Sequence, residues 1–393
     1  MKPFGQILIS ASLVAICIVS GMAARADDGN DPPNRYVVTN LTSDTDKIPA
    51  AHMDPVLQNA WGVAFTPNAS PFWISDNATG CSTLYDGQGA IASTLQVKIP
   101  LPGVQPNIPG TACKHNDPKN PSNPTPAAPT GLVWNPTTGA TAFLVPGTSL
   151  PATFIWDTED GTISAWAGGL TPPDQAVLAV DNSPGAVYKG LVFGTNPHGV
   201  FLFAANFRAA TVDAFAPNGS SGFRPATSTE VSGSFTDPDI PAGFAPFGIQ
   251  NINGDLFVTY AKQDAEKHDD VAGPGNGFVD VFDTDGNLLQ RFASGRPLNS
   301  PWGVARASFA FGRFSGDVLV GNFGNGQINA FDSNGNFRGT LRDSKGKPIA
   351  IDGLWTLTLG GGRNSSSGTL YFTAGPNGET DGLFGTITPA SKN

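Results

Sequence analysis

A repeat constrains this chain more than any other feature. Six segments set an apolar or aromatic residue beside a glycine: Ala60-Trp61-Gly62-Val63-Ala64, Pro129-Thr130-Gly131-Leu132-Val133, Lys189-Gly190-Leu191-Val192, Pro246-Phe247-Gly248-Ile249, Pro301-Trp302-Gly303-Val304-Ala305 and Asp352-Gly353-Leu354-Trp355. Their glycines stand 50 to 69 residues apart, so insertions differ while the order of features inside each unit does not. After each segment comes an apolar run, a polar turn and a second apolar run. In the third unit these are Phe201 to Asn206 and Thr211 to Phe215; in the fifth, Val318 to Asn322 and Gln327 to Asp332. A tight Gly turn and a fourth run follow, as in Leu288 to Phe292 or Phe337 to Leu341. Four short strands per unit, repeated radially, is the sequence form of a β-propeller. Both faces of each sheet are then covered by neighbours, which explains continuous rather than alternating apolar runs.

The repeat predicts an all-β fold, a six-bladed β-propeller of four-stranded blades. The sixth unit reaches Leu383 to Ile387 with only three strands, and the β run 36–41, Tyr36 to Leu41, belongs to no unit. That run is expected to join the last blade as its outer strand and close the ring, which leaves no exposed edge between first and last blade. A closed ring is compatible with a monomer. Composition agrees: 48 Gly and 34 Pro with 26 Phe and 7 Trp exclude a coiled coil and a disordered chain. A net charge of −10 excludes a nucleic-acid partner.

The first residues read differently. Lys2 gives a positive start, Ile7 to Val19 is almost wholly apolar, and Ala24-Arg25-Ala26 has the small-x-small form of a signal-peptidase site. Residues 1–26 are expected to be a signal peptide and 27–393 a single propeller domain, with no membrane span, secreted or periplasmic. Removal of the leader takes Cys17 and leaves Cys81 and Cys113, expected to form a disulfide in an oxidising compartment.

The pattern Trp-Gly-Val-Ala, then an apolar strand ending in Asp or Asn, a polar Gly turn and a strand ending Phe-Asp resembles the NHL family of six-bladed propellers. Blade five carries it most fully, from Pro301 to Leu341. The whole chain also resembles a group of secreted bacterial propellers described only as conserved hypothetical, a likeness that brings no activity with it. Fold likeness alone does not assign function.

Asp283-Thr284-Asp285-Gly286-Asn287 looks like the start of a calcium loop. Asp86-Gly87-Gln88-Gly89 and Asp332-Ser333-Asn334-Gly335-Asn336 hold the same place in other blades, so all three are expected to be hairpin turns. Trp61, Phe247 and Trp302 are expected to wedge between adjacent blades as core. Three of the four histidines, His52, His115 and His268, fall on connections that open on one face of the ring. That face also gathers Asp157, Glu159, Asp264, Asp269, Glu379, Asn77, Asn206 and Asn322. Imidazole with carboxylate suits zinc, and carboxylate with amide oxygen suits calcium; a solvated polar rim is the alternative. His52, His115 and His268 are the metal-ligand candidates, and Asn77, Asn206, Asn322, Asp157 and Asp264 the ligand-face candidates.

Two functions follow. The first is a non-catalytic binding or scaffold propeller, with a ligand-binding face of long loops and a protein, glycan or small molecule as partner. The second is a metal-assisted lyase or hydrolase at the channel mouth. Similar architectures include calcium-dependent lactonases and a zinc-dependent lyase acting on amidated peptides, in which the metal polarises a substrate oxygen or activates water. No ligand pattern of either is matched, so no catalytic residue carries over.

Overall fold

The computed structural model describes residues 32–103, 113, 126–139 and 142–391. The expected leader and His115 lie outside these residues. Six antiparallel sheets follow one another along the chain, each starting at the ring's inner edge. Blade one comprises Ala60–Ala64, Phe72–Asp76, Cys81–Tyr85 and Val97–Lys98. Blade two comprises Pro129–Trp134, Phe154–Thr158, Thr162–Trp166 and Val177–Asp181. Blade three comprises Tyr188–Asn196, Gly199–Asn206, Thr211–Pro217 and Phe223–Pro225. Blade four comprises Phe244–Ile252, Asp255–Lys262, Phe278–Phe282 and Leu288–Ser294. Blade five comprises Pro301–Arg306, Val318–Asn322, Ile328–Phe331 and Phe337–Thr340.

Blade six takes Leu354–Leu359, Leu370–Ala374 and Leu383–Pro389 from the end of the chain. Its fourth strand is Tyr36–Ser43, antiparallel to Leu383–Pro389 with Val38 opposite Ile387. The ring closes as the unassigned β run predicts, and the two-residue strand His52–Met53 adds a parallel edge beside Thr42 and Ser43. At this seam Phe72 of blade one packs on Tyr371 and Phe384 of blade six, ring centroids 4.7 and 5.6 Å apart. Six apolar cores alternate with six sheets around the ring, one in each gap.

The repeated glycine has a specific purpose. In all six blades the inner strand loses register with the second strand at the same place, between Ala60 and Val63, Pro129 and Leu132, Tyr188 and Leu191, Pro246 and Gly248, Pro301 and Val304, and Leu354 and Leu357. The glycine sits at this bulge, where the next inner strand comes closest. A Cβ on Gly62, Gly131, Gly248 or Gly303 would lie closer than 3.0 Å to backbone of the following blade: Thr130, Leu191, Trp302 and Trp355 respectively. Only a residue without a side chain lets backbone approach backbone there. Inner strands held this tightly leave a channel cavity of about 60 Å³, lined by Gly62, Gly131, Gly190 and Gly303 among others. That is room for a few waters.

Two expectations are corrected by this geometry. Gly353 is not the sixth member of the repeat: it precedes the inner strand at φ +63°, and Thr356 stands at the bulge. There the Thr356 hydroxyl donates to the Trp61 carbonyl at 2.7 Å, bridging the last blade to the first by a side chain instead of a bare approach. Nor do Trp61, Phe247 and Trp302 wedge between neighbouring blades. They gather across the axis with Phe207 and Trp355 and plug the channel. Trp61 stacks on Trp355 at 3.5 Å, and Trp302 meets both edge-on at 5.8 and 5.7 Å. The bulge turns Trp61, Phe247, Trp302 and Trp355 inward, which a reading of strand order does not reveal.

The three Asp-containing segments are hairpin turns. Asp283 Oδ1 accepts from the amides of Asp285 and Asn287 at 3.0 and 2.8 Å, and Asp86 and Asp332 cap their own turns in the same way. The disulfide joins Cys81, at the start of a third strand, to Cys113 of the long connection between blades one and two.

Gly303→Ala is expected to lower stability by about 1–3 kcal/mol through overpacking against Trp355. Gly168→Ala, an exposed position with open space around it, should melt with the wild type. Thermal unfolding of the two variants checks the pair. Reduction of Cys81–Cys113, which closes a loop over a separation of 32 residues, is expected to remove about 3–4 kcal/mol on the chain-entropy model. Unfolding in denaturant with and without a thiol reductant measures it.

Candidate functional site

The plug makes one end of the channel a blind recess, and polar groups from five blades meet above it. Lys189 holds the slot before the bulge glycine that Trp61, Phe247 and Trp302 hold in their blades, so its side chain runs inward too. It is 2% exposed, and its ammonium lies 5.4 Å from the Trp61 ring and 5.9 Å from that of Phe207. Its backbone carbonyl accepts from Trp302 Nε1 at 2.8 Å. A buried ammonium needs counter-charge. Glu159, in the turn between the second and third strands of blade two, bonds it directly, and Asp269 from the blade-four loop lies 3.3 Å away.

From Glu159 the network continues through amides. Asn77 Nδ2 donates to Glu159 Oε2 at 2.9 Å, and Asn59 Nδ2 donates to Asn77 Oδ1 at 3.1 Å and to Glu379 Oε2 at 2.7 Å. Trp355 Nε1 in the plug donates to Asn59 Oδ1 at 3.0 Å, tying recess to floor. On the opposite side His268 Nδ1 lies 2.9 Å from Asp269 Oδ1. The blade-four loop that carries them is shaped from within: Asp264 Oδ1 accepts from the His268 amide at 2.8 Å, and its own amide donates to the Asp269 carbonyl at 2.9 Å. Asn59 at φ 46° and Glu379 at φ 66° both sit in the left-handed region. Asn tolerates it; for Glu it costs about 1–2 kcal/mol, which the surrounding contacts must offset.

The charges respond to this geometry. Burial pulls the Lys189 ammonium down, but Glu159 and Asp269 together hold it above its ordinary value, so it stays charged. His268 draws the Asp269 carboxyl down to about 2 and is itself raised by that hydrogen bond. Glu379 moves the other way: burial, then the neighbouring charge of Glu159, pushes it up to about 7. Asp269 held ionised by His268 and Glu379 poised near neutrality make an arrangement suited to proton exchange.

The remaining sequence candidates are distributed as follows. Asn77 and His268 belong to the recess, and Asp264 shapes its loop. Asp157 is fully buried beneath it, accepting from the Thr130 hydroxyl at 2.8 Å and the Gly131 amide at 2.6 Å; burial lifts it to about 7. Asn206 joins Asp213 and the Val187 and Ala209 amides, and Asn322 joins the Pro297 carbonyl and the Asn299 amide. Both brace connections between strands. His52 lies exposed on the edge strand of blade six and does not join the recess. Among the described residues, Glu159, His268 and Asp269 have ligand atoms within 4.8 Å of one another. Lys189 and Asn59 are additions that the sequence reading missed. A lysine in a slot otherwise filled by aromatics was the available signal for the first. Among the described residues no helix is long and apolar enough to cross a membrane.

Glu379 makes stability depend on pH with a known sign. Its carboxyl titrates at 4.5 when unfolded and at about 7 when folded, so between those values the folded chain holds more protons and stability falls as pH rises. Asp157 and Asp280 also titrate near 7, so the difference between wild type and Glu379→Gln isolates the contribution. The variant is expected to lose less stability than the wild type between pH 5 and pH 8, read from unfolding curves across that range.

No family model matches the sequence, so the NHL resemblance goes no further than the propeller architecture. A solved structure assigned as a gluconolactonase is 13% identical, with 93% of this chain and 97% of that one covered and a TM-score of 0.50. The soluble aldose sugar dehydrogenase of Escherichia coli, in its apo-form, is 12% identical over 90% of this chain and all of its own, again at 0.50. At such identities the likeness is one of fold. Two curated proteins of Acanthamoeba polyphaga mimivirus are nearer in sequence. Uncharacterized protein R648 is 30% identical over 357 residues, 90% of this chain and 79% of its own length. Uncharacterized protein L690 is 30% identical over 362 residues, 90% and 87%. These relatives are viral, where the sequence reading pointed to a bacterial group. With that identity sustained along nine-tenths of its length, the chain belongs to the family of the mimiviral proteins R648 and L690.

Proposed function

We propose that this protein is an extracytoplasmic ligand-binding propeller whose site is the polar recess above the plugged channel. The observation that supports it is the convergence of Asn59, Asn77, Glu159, Lys189, Asp269 and Glu379 over one aromatic floor. Residues so far apart in sequence meet only because the ring brings their loops together. Carboxylate and amide oxygens predominate, and the one ammonium is already paired. The ligand that fits is a small molecule rich in hydrogen-bond donors, of the sugar or polyol class. An extracytoplasmic place is favoured by the leader pattern of residues 1–26 and by the Cys81–Cys113 bridge.

A second reading, an acid–base enzyme at the same recess, is favoured by Glu379. A carboxyl near neutrality in a buried polar cluster is able to give or take a proton during hydrolysis or elimination on a bound ligand. The two readings share a site and differ in whether the ligand changes.

The test is a calorimetric and thermal-shift panel of aldoses, aldonolactones and polyols, with each mixture followed by NMR. Saturable binding of at least one member is expected, lost in Asn77→Ala and weakened at least tenfold in Glu379→Gln. No binding by any member, or binding indifferent to both substitutions, would overturn the proposal. Turnover of a bound member, with a rate that follows a group titrating near 7, would select the enzyme reading.

A further inference from the structure

The resemblance to calcium- and zinc-dependent propellers implies a metal at the channel mouth, and the donor set gathered there invites one: Glu159, His268 and Asp269 offer ligand atoms within 4.8 Å of one another. The residues do not fit it. The Lys189 ammonium bonds Glu159 Oε1 and stands 3.3 Å from Asp269 Oδ1, so two of the three donors already face a cation. An ion shared by the same oxygens would lie against that ammonium and meet its full charge. Lys189 is held where it stands. Its side chain is 2% exposed, its ammonium lies 5.4 and 5.9 Å from the Trp61 and Phe207 rings, and its carbonyl accepts from Trp302 Nε1.

We infer that Lys189 takes the place of a metal ion in this propeller: its ammonium is the resident cation of the channel mouth, and the site works metal-free. The sequence slot supports this independently. The matching position at the bulge carries Trp61, Phe247, Trp302 and Trp355 to the axis in blades one, four, five and six, and these aromatic side chains form the plug. Blade three uses the same slot to carry a charge to the top of that plug, where Glu159 of blade two and Asp269 of blade four reach it from either side. The arrangement has the topology of a bridging cation, with side chains from separate blades converging on one positive centre. It is, however, covalently attached and needs no supply from solution. The inference stands whatever ligand the recess takes.

Titration of the wild-type protein with calcium, zinc and manganese chlorides, by calorimetry and by melting with and without a chelator, tests it. The wild type is expected to show no one-to-one site that depends on Glu159, and no chelator-dependent melting. Lys189→Met keeps the length of the side chain and removes the charge. It is expected to gain a one-to-one site for at least one of the three ions, at least tenfold tighter than any wild-type binding and abolished by adding Glu159→Gln. A wild-type one-to-one site lost in Glu159→Gln or Asp269→Asn would overturn the inference, as would a folded Lys189→Met that gains none. If Lys189→Met does not fold, the wild-type titration with the Asp269→Asn control decides alone.

Discussion

Everything in this molecule depends on how closely six inner strands approach around the axis. At four of the six bulges, those of Gly62, Gly131, Gly248 and Gly303, backbone of one blade meets backbone of the next at a distance that a single methyl group would forbid, and glycine is the residue that allows it. That contact sets the radius of the ring. A narrow ring brings Trp61, Phe247, Trp302 and Trp355 from their bulges to the axis, where the aromatic side chains meet across it rather than lining a pore. The plug in turn makes the loop-face end of the channel blind. A short-range steric rule, repeated in blade after blade, thereby decides that the protein has a recess and not a tunnel.

The recess is an electrostatic consequence of the same arrangement. Once the inward slot of blade three holds a lysine, a full charge is committed to a dry floor, and burial of this kind is tolerated only with close partners. Glu159 and Asp269 supply them from turns and loops that open on the same face. The charge of Glu159 is in turn one reason that Glu379 resists ionisation. Breaking a buried pair of this type costs roughly 3–5 kcal/mol. The site and the stability of the ring's centre are therefore coupled, because Trp302 and Trp355 of the plug also hold Lys189 and Asn59 by hydrogen bonds.

Much of the fold was legible because its determinants are local. Asp-x-x-Gly turns at matching places, apolar runs between them and an unpaired β run at 36–41 predict the blades and their closure, and the structure has them. Cys81 and Cys113 are the two cysteines beyond residue 26, and they are joined. The site was legible only in outline. Glu159, Asp269, Glu379, Asn77 and His268 were all assigned to one face, yet nothing in the sequence separates these from Asn206 and Asn322, whose amides brace the backbone. The sixth repeat was misaligned because Gly353 imitates a glycine whose place is taken by Thr356.

By itself, then, the sequence determined the number of blades, the strand order and the chemical character of the loop face. These follow from turn stereochemistry and apolar periodicity, which act over a few residues. The tertiary structure decided which groups meet. Lys189 and Asp269 are 80 residues apart, and Asn59 and Glu379 are 320 apart. Their encounters depend on ring radius and on the turn of each bulge, quantities that exist only once all six blades are in place. For the same reason a lysine that reads as one more polar residue along the chain becomes, in the closed ring, the charge around which the channel mouth is organised.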